Sequence, residues 1–149
     1  MEKINIIQCK RIADGFRMTG AFAAKTDAVQ FFKYYIGPCA ANLAFACELY
    51  MKTLKANSNE RIICKGHYLQ KLYEDLNPEQ QCKIRTEYKK VKCNLDLDKC
   101  LEIHNKTFEE WRYLAEYKNG KTISVDRGSL LNLANALSKV CEEEIKDKI

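Results

Sequence analysis

The chain has 149 residues, a length that fits one domain built around one hydrophobic core. Its two prolines and six glycines are too few for the many tight turns of an all-β fold, so long stretches are left for helices. The formal charge of +5 allows a nucleic-acid partner, but it is smaller than the clustered excess of a dedicated DNA-binding domain.

The cysteines and the apolar stretches argue against metal-binding, secreted and membrane-spanning classes. None of the eight cysteines forms a Cys-x-x-Cys pair, and none has zinc-finger spacing to a histidine. We interpret them as reduced thiols in the cytoplasm, with no metal and no cofactor. The chain starts without an apolar signal segment. Its longest apolar stretch, residues 34–47, is interrupted by Gly37, Pro38 and Asn42 and is shorter than the roughly 20 residues that span a bilayer.

The first third of the chain predicts a long helix or helix pair and then a central helix. Apolar residues recur at helical spacing over residues 7–35, although Gly15 and Gly20 weaken the pattern and allow two helices. Gly37 and Pro38 then predict a break in the chain. Residues 38–55 have a wide apolar face, and we predict that this helix lies at the centre of a bundle.

Two shorter helices are predicted next. Residues 67–76 carry leucines and a tyrosine at 3–4 spacing, which indicates a third helix. Residues 78–92 predict a fourth helix with a clear start. Asn77 can cap it, Pro78 suits its first position, and Gln80 can complete a capping box.

The last third predicts two more helices, over residues 97–117 and 127–145, separated by a turn and an extended segment at residues 122–125. Asp126 can cap the final helix. Its near-heptad apolar stripe spans only about two heptads, so we interpret it as intramolecular core. The whole pattern predicts a single all-α domain over residues 1–149, folded as an up-and-down bundle of five to six helices.

Two parts of the chain carry a resemblance to a known family. Residues 46–52 read ACELYMK, and after a loop residues 66–72 read GHYLQKL. Residues 108–113 read FEEWRY. In their order and spacing these segments resemble the HEPN superfamily of small helical-bundle proteins of bacteria and phages, and the likeness extends over residues 31–144.

The resemblance implies a helical bundle that forms homodimers. Many members are metal-independent ribonucleases of toxin–antitoxin or phage-defence systems, in which an arginine is followed after four to six residues by a histidine. A histidine moves protons near neutral pH, and an arginine binds phosphate through its planar fork, so the pair suits RNA cleavage.

The chain departs from this ribonuclease motif. Arg61 and His67, with five residues between them, are the one pair with the required spacing, and they fall in a loop and at a helix start. Arg112 lies nearer the expected position, but residues 117–119 contain no histidine. We therefore interpret the motif as degenerate. The candidate catalytic residues are Arg112, His104, His67 and Arg61.

Two polar residues on apolar helix faces have structural and functional interpretations. Glu48 needs a cationic partner if it is buried, and we favour a structural Glu48–Arg112 ion pair, with Lys52 as the other candidate. His104 shares a helix side with Phe108. We interpret it as a hydrogen-bonded buried histidine, and the alternative is a general base beside Arg112.

The fourth helix is basic, which suggests RNA binding through its cations and one interleaved aromatic ring. The alternative is an ordinary solvated face. The residues concerned are Lys83, Arg85, Tyr88, Lys89, Lys90 and Lys92.

Three hypotheses about function stay open. The first is an HEPN-like protein of a bacterial or phage conflict system that binds RNA or a partner protein through a degenerate ribonuclease scaffold. The second is an active metal-independent HEPN endoribonuclease. The third is a protein-interaction or inhibitor module with no nucleic-acid role. Fold class alone does not choose among them.

Overall fold

The computed structural model describes residues 5–25, 34–58, 65–112 and 124–148. Within these ranges the chain is helical and has no β-strand, which confirms the predicted all-α bundle. The helices are α1 (Ile6–Ala24), α2 (Ile36–Ser58), α3 (Leu69–Glu74), α4 (Pro78–Lys89), α5 (Leu97–Ile103), α6 (Thr107–Arg112) and α7 (Arg127–Ile145), followed by a 3-10 turn at Lys146–Lys148.

Helix α2 lies at the centre of the bundle, as its apolar composition predicts. It packs against α1 along most of its length and also contacts α3, α6 and α7. Leu43, Cys47, Tyr50 and Leu54 are all fully buried on it. A helix that is apolar on most sides is stable only when neighbours cover it, and here four helices do so.

Helix α1 runs through both glycines without a break. It ends at Ala24, and residues 26–33 of the predicted first helix lie outside the described residues. Gly20 sits against α2, where the absence of a side chain leaves room for Leu43. The glycine thus serves helix packing and does not end the helix.

The predicted break at Gly37 and Pro38 is wrong. Tyr34 and Tyr35 are already π-helical, and α2 begins at Ile36. Pro38 is accommodated near the start of α2 because the φ that its ring fixes is close to the helical value.

Helix α4 begins as predicted, but the predicted hydrogen bond from the Gln80 side chain to the cap is wrong. The Asn77 side chain accepts a hydrogen bond from the Gln80 backbone N–H at 2.8 Å. The Gln80 side chain does not return to the cap. It is buried, and its amide donates to the Leu54 carbonyl and to Glu144, which joins α4 to α2 and α7.

The single helix predicted over residues 97–117 is interrupted at residues 104–106, and residues 113–117 lie outside the described part. At the break, Asn105 turns towards α3. Its carbonyl accepts from Leu69 N–H at 3.2 Å and its side chain accepts from Gln70 N–H at 2.9 Å. Groups that would continue a helix here are used by a neighbouring element instead.

Helix α7 confirms its predicted start and its predicted core role. The Asp126 side chain caps it by accepting from Ser129 N–H at 2.8 Å. The residues of its apolar stripe are all fully buried, namely Leu130, Leu133, Leu137, Val140 and Cys141. Of the segment predicted to be extended, residues 124–125 show no regular structure and residues 122–123 lie outside the described residues.

Candidate functional site

A histidine–carboxylate pair joins the start of α3 to the middle of α2. The His67 Nδ1 lies 2.8 Å from Glu48 Oε1, and the other Glu48 oxygen is 3.1 Å from the Lys52 ammonium. Glu48 is 1% exposed, whereas the His67 side chain is 57% exposed. The carboxylate is therefore held inside the protein, and it presents the imidazole to solvent. We call His67, Glu48, Lys52 and Phe108 the His67 site.

The contact with Glu48 determines which ring nitrogen of His67 carries the hydrogen. A carboxylate accepts hydrogen bonds, so Nδ1 of His67 is the protonated ring nitrogen towards Glu48. In the neutral ring this leaves the lone pair on Nε2, where a proton can be taken up. Lys52 balances the buried negative charge, which would be costly to bury without a partner.

The chain segment that carries His67 is positioned from two sides. Gly66 has a φ of 105°, a backbone conformation that is strained for any residue with a side chain. The glycine allows this conformation directly before His67. Shortly after His67, the first two N–H groups of α3 donate hydrogen bonds to Asn105. The imidazole is thus fixed by its own contact with Glu48 and by the anchored helix that follows it.

An aromatic cluster forms the wall beside the imidazole. The rings of His67 and Phe108 have centroids 6.2 Å apart, and Phe108 stacks on Phe45 at 4.6 Å. Phe16 of α1 packs edge-on against Phe45 at 4.7 Å. Three helices therefore support one side of the site, and the exposed ring of His67 lies at the edge of an apolar wall.

Two exposed cations and an exposed aromatic residue lie near His67 in the chain or against its neighbour Tyr68. Tyr68 follows it directly and is 45% exposed. The Lys106 ammonium lies 5.4 Å from the centre of the Tyr68 ring, at cation–π distance. Lys65 is exposed two residues before His67. We call Lys65, His67, Tyr68 and Lys106 the Tyr68 surface.

The other predicted catalytic residues divide into buried and undescribed ones. His104 is fully buried, with Nδ1 at 2.9 Å from the Cys100 carbonyl and Nε2 accepting from Asp126 N–H at 2.9 Å. Burial lowers the pKa of His104, against smaller opposing effects of the Cys100 carbonyl and Asp126. Both nitrogens are used inside the fold, which agrees with the structural interpretation. Arg61 and the Arg112 side chain lie outside the described residues.

The structure gives Glu48 partners other than the favoured one. Lys52, the other candidate from the sequence, forms the ion pair, and His67 adds a second contact that the sequence did not indicate. Whether Arg112 also reaches Glu48 stays a prediction, because its side chain is outside the described part. Its backbone lies at the end of α6, one turn after Phe108.

The aromatic ring that the sequence predicts for RNA stacking on the fourth helix is buried. Tyr88 is buried, and its hydroxyl donates to the Leu95 carbonyl at 2.6 Å, so its ring is not available for stacking. Ion pairs also engage three of the cations. Lys83 pairs with Glu79 and Glu144, Arg85 with Asp98, and Lys90 with Glu87. Among the predicted cations of this region, Lys89 and Lys92 are exposed and have no ion pair within the described residues.

Within the described residues, no group of three or more His, Cys, Asp or Glu side chains is placed to hold a metal ion. None of the helices described has both the length and the apolar character that a bilayer crossing requires. In comparisons with protein-family models, curated proteins and solved structures, the chain matches none of them. The HEPN resemblance therefore remains a prediction that rests on the sequence segments quoted above.

Proposed function

We propose that this chain is an HEPN-like RNA-binding protein that cleaves RNA at the His67 site without a metal. The observation that carries the proposal is the exposed imidazole of His67 held by the buried Glu48 at 2.8 Å. A carboxylate that orients a histidine is a common arrangement for general acid–base chemistry.

RNA suits such a site because the substrate supplies its own nucleophile. Nε2 of His67 would accept the proton of a ribose 2′-hydroxyl, whose oxygen forms a bond to the neighbouring phosphorus. The bond from phosphorus to the 5′ oxygen breaks, and that oxygen takes a proton from the imidazolium or from solvent. The products are a 2′,3′-cyclic phosphate and a 5′-hydroxyl end.

The surrounding charge supports an anionic substrate. Three lysines belong to this part of the protein, namely Lys52 on α2, Lys65 before α3 and Lys106 before α6. The carboxylate of Glu48 is buried and paired with Lys52. Helical geometry turns Glu109 and Glu110 about 100° and 200° away from Phe108, which faces His67. By the HEPN resemblance, an arginine would bind the phosphate, and Arg61 and Arg112 are the candidates. The resemblance also suggests a homodimer in the cytoplasm and a role in a bacterial or phage conflict system.

Cleavage of total RNA by the purified protein in the presence of a metal chelator tests the proposal. We expect fragments with cyclic phosphate ends, and His67→Gln should lower the rate by about 100-fold or more. Glu48→Gln, which keeps the shape of the side chain, should lower it less. Lys99→Ala, which removes an exposed lysine paired with Glu102, serves as the control for surface charge. Cleavage that is equal in the wild type and in folded His67→Gln would point to a contaminating nuclease and overturn the proposal.

A second candidate function, association with another protein, is favoured by the outward side of α1. Ile12, Met18 and Phe22 are exposed there, and Phe22 is 73% exposed. Because HEPN-like proteins dimerise, the partner we propose is a second copy of this chain. Light scattering should then show a dimer that Phe22→Glu converts into a monomer. A wild-type monomer at high concentration would contradict this candidate.

A further inference from the structure

The Tyr68 surface combines an exposed aromatic ring with cations that carboxylates do not neutralise. Within the described residues, neither Lys65 nor Lys106 has an ion pair, in contrast to Lys83 and Arg85 of α4 and to Lys90 directly after it. Lys106 instead lies over the ring of Tyr68. An exposed lysine without a carboxylate partner remains available for a phosphate.

We propose that Tyr68 is a stacking platform for one unpaired base of a single-stranded RNA, with Lys65 and Lys106 contacting the phosphates on either side. This inference rests on the proposed function and specifies its substrate class. Tyr68 takes the stacking role that the sequence predicts for Tyr88, which is buried in the core.

Three features of Tyr68 suit it to this role. The residue is 45% exposed at the start of α3. It is fixed in place, because the next two residues bind Asn105 through their backbone N–H groups. It also adjoins His67 in the chain.

The chemistry favours a single strand over a duplex. Aromatic side chains stack on bases that are free of their neighbours, and in an RNA duplex both faces of each base are already covered. Stacking also tolerates any base, because every base has a π face. We therefore expect preference for unpaired RNA and little preference for sequence at this position.

Binding of a fluorescently labelled RNA oligonucleotide, followed by anisotropy, tests the inference. The wild type should bind the single strand more tightly than the same strand in a duplex. An oligonucleotide of equal charge with abasic residues should bind about tenfold more weakly than the intact strand, since its phosphates remain but its bases are gone. This comparison uses the wild-type protein alone and so does not depend on the folding of a variant.

Variants at Tyr68 then locate the platform. Tyr68→Phe keeps the ring and should bind within about twofold of the wild type, whereas Tyr68→Leu and Tyr68→Ala should lose about tenfold. Tyr34→Ala is the matched control, because Tyr34 is also exposed and precedes α2, about 20 Å along the helix axis from Glu48.

The outcomes separate this inference from the proposed function. Unchanged affinity in folded Tyr68→Leu, with RNA cleavage still dependent on His67, would overturn the stacking platform and leave the function standing. Equal binding of single strand, duplex and abasic strand would do the same. A wild-type protein that binds no RNA at all would overturn both.

Discussion

The space that a side chain on Gly20 would need is occupied by Leu43. A Cβ atom at Gly20 would lie 2.7 Å from Leu43 Cγ and 3.1 Å from the Leu43 backbone nitrogen. Real Cβ atoms essentially never show the first distance, and the second is tighter than most Cβ contacts, so the close approach of α1 to α2 at this point depends on glycine at residue 20. The crossing of these two helices covers one side of α2, and α1 also supplies Phe16 to the aromatic cluster beside His67.

Gly20→Ala should therefore destabilise the protein. We expect a loss of about 1–3 kcal/mol in the free energy of unfolding, because the new methyl group forces Leu43 and α1 apart. Gly15→Ala is the matched control on the same helix, where a Cβ meets nothing within 4 Å. It should stabilise the helix by about 0.5–1 kcal/mol. Urea denaturation measures both values, and equal effects of the two substitutions would contradict the close approach.

The buried His104 should make stability depend on pH. Burial lowers its pKa below the ordinary value of 6.5, so the unfolded chain binds a proton in a range where the folded protein does not. The unfolding free energy should thus fall as the pH is lowered from about 7 through 6.5 to the folded-state pKa, and rise again when the pH is raised.

The two histidines of the chain provide the control for this prediction. Denaturation curves at about pH 7.5 and about pH 5 should differ for the wild type and for His67→Gln. His104→Gln should be less stable at both pH values, because it disturbs the hydrogen bonds to Cys100 and Asp126. Its unfolding free energy should, however, change less between the two pH values than that of the wild type. The idea fails if His67→Gln removes that dependence and His104→Gln keeps it.

Asn105 should stabilise α3 from outside that helix. Asn105→Ala removes the acceptor for Gln70 N–H and should cost about 1 kcal/mol, the usual value of a lost helix cap. Asn105→Asp keeps an acceptor oxygen and should retain most of the stability. Hydrogen exchange of the Gln70 amide is the direct measurement. Its protection should drop in Asn105→Ala alone, and unchanged exchange would show that the side-chain bond contributes little.

The cysteines should react in an order set by burial. Cys82 is exposed, whereas Cys47 and Cys141 are buried and burial raises the pKa of both thiols well above its usual range. Only the thiolate reacts quickly with alkylating agents. Iodoacetamide followed by peptide mapping should therefore label Cys82 in the native protein, and Cys47 and Cys141 only after denaturant is added. Rapid labelling of Cys47 in the native protein would contradict the central position of α2.

Short-range features of this fold could be predicted from the sequence. The caps at Asn77 and Asp126 are contacts over three residues, and the apolar face of α2 follows from helical spacing, so both depend only on neighbouring positions. The prediction failed where a side chain found a distant partner. The Gln80 side chain binds Leu54 and Glu144 and not the helix cap. Asn105 binds α3, at the point where the helix predicted over residues 97–117 is interrupted.

The sequence by itself determined that the chain forms helices, where several of them begin, and that α2 is the central one. It also marked His67 and Glu48 as polar residues in need of an explanation. Only the tertiary structure decided that they belong together, 19 positions apart in the chain, and that Tyr68 is exposed while Tyr88 is buried. The physical reason is that hydrogen-bond partners and exposure depend on which helix faces meet, and helix packing brings together residues that no local pattern relates.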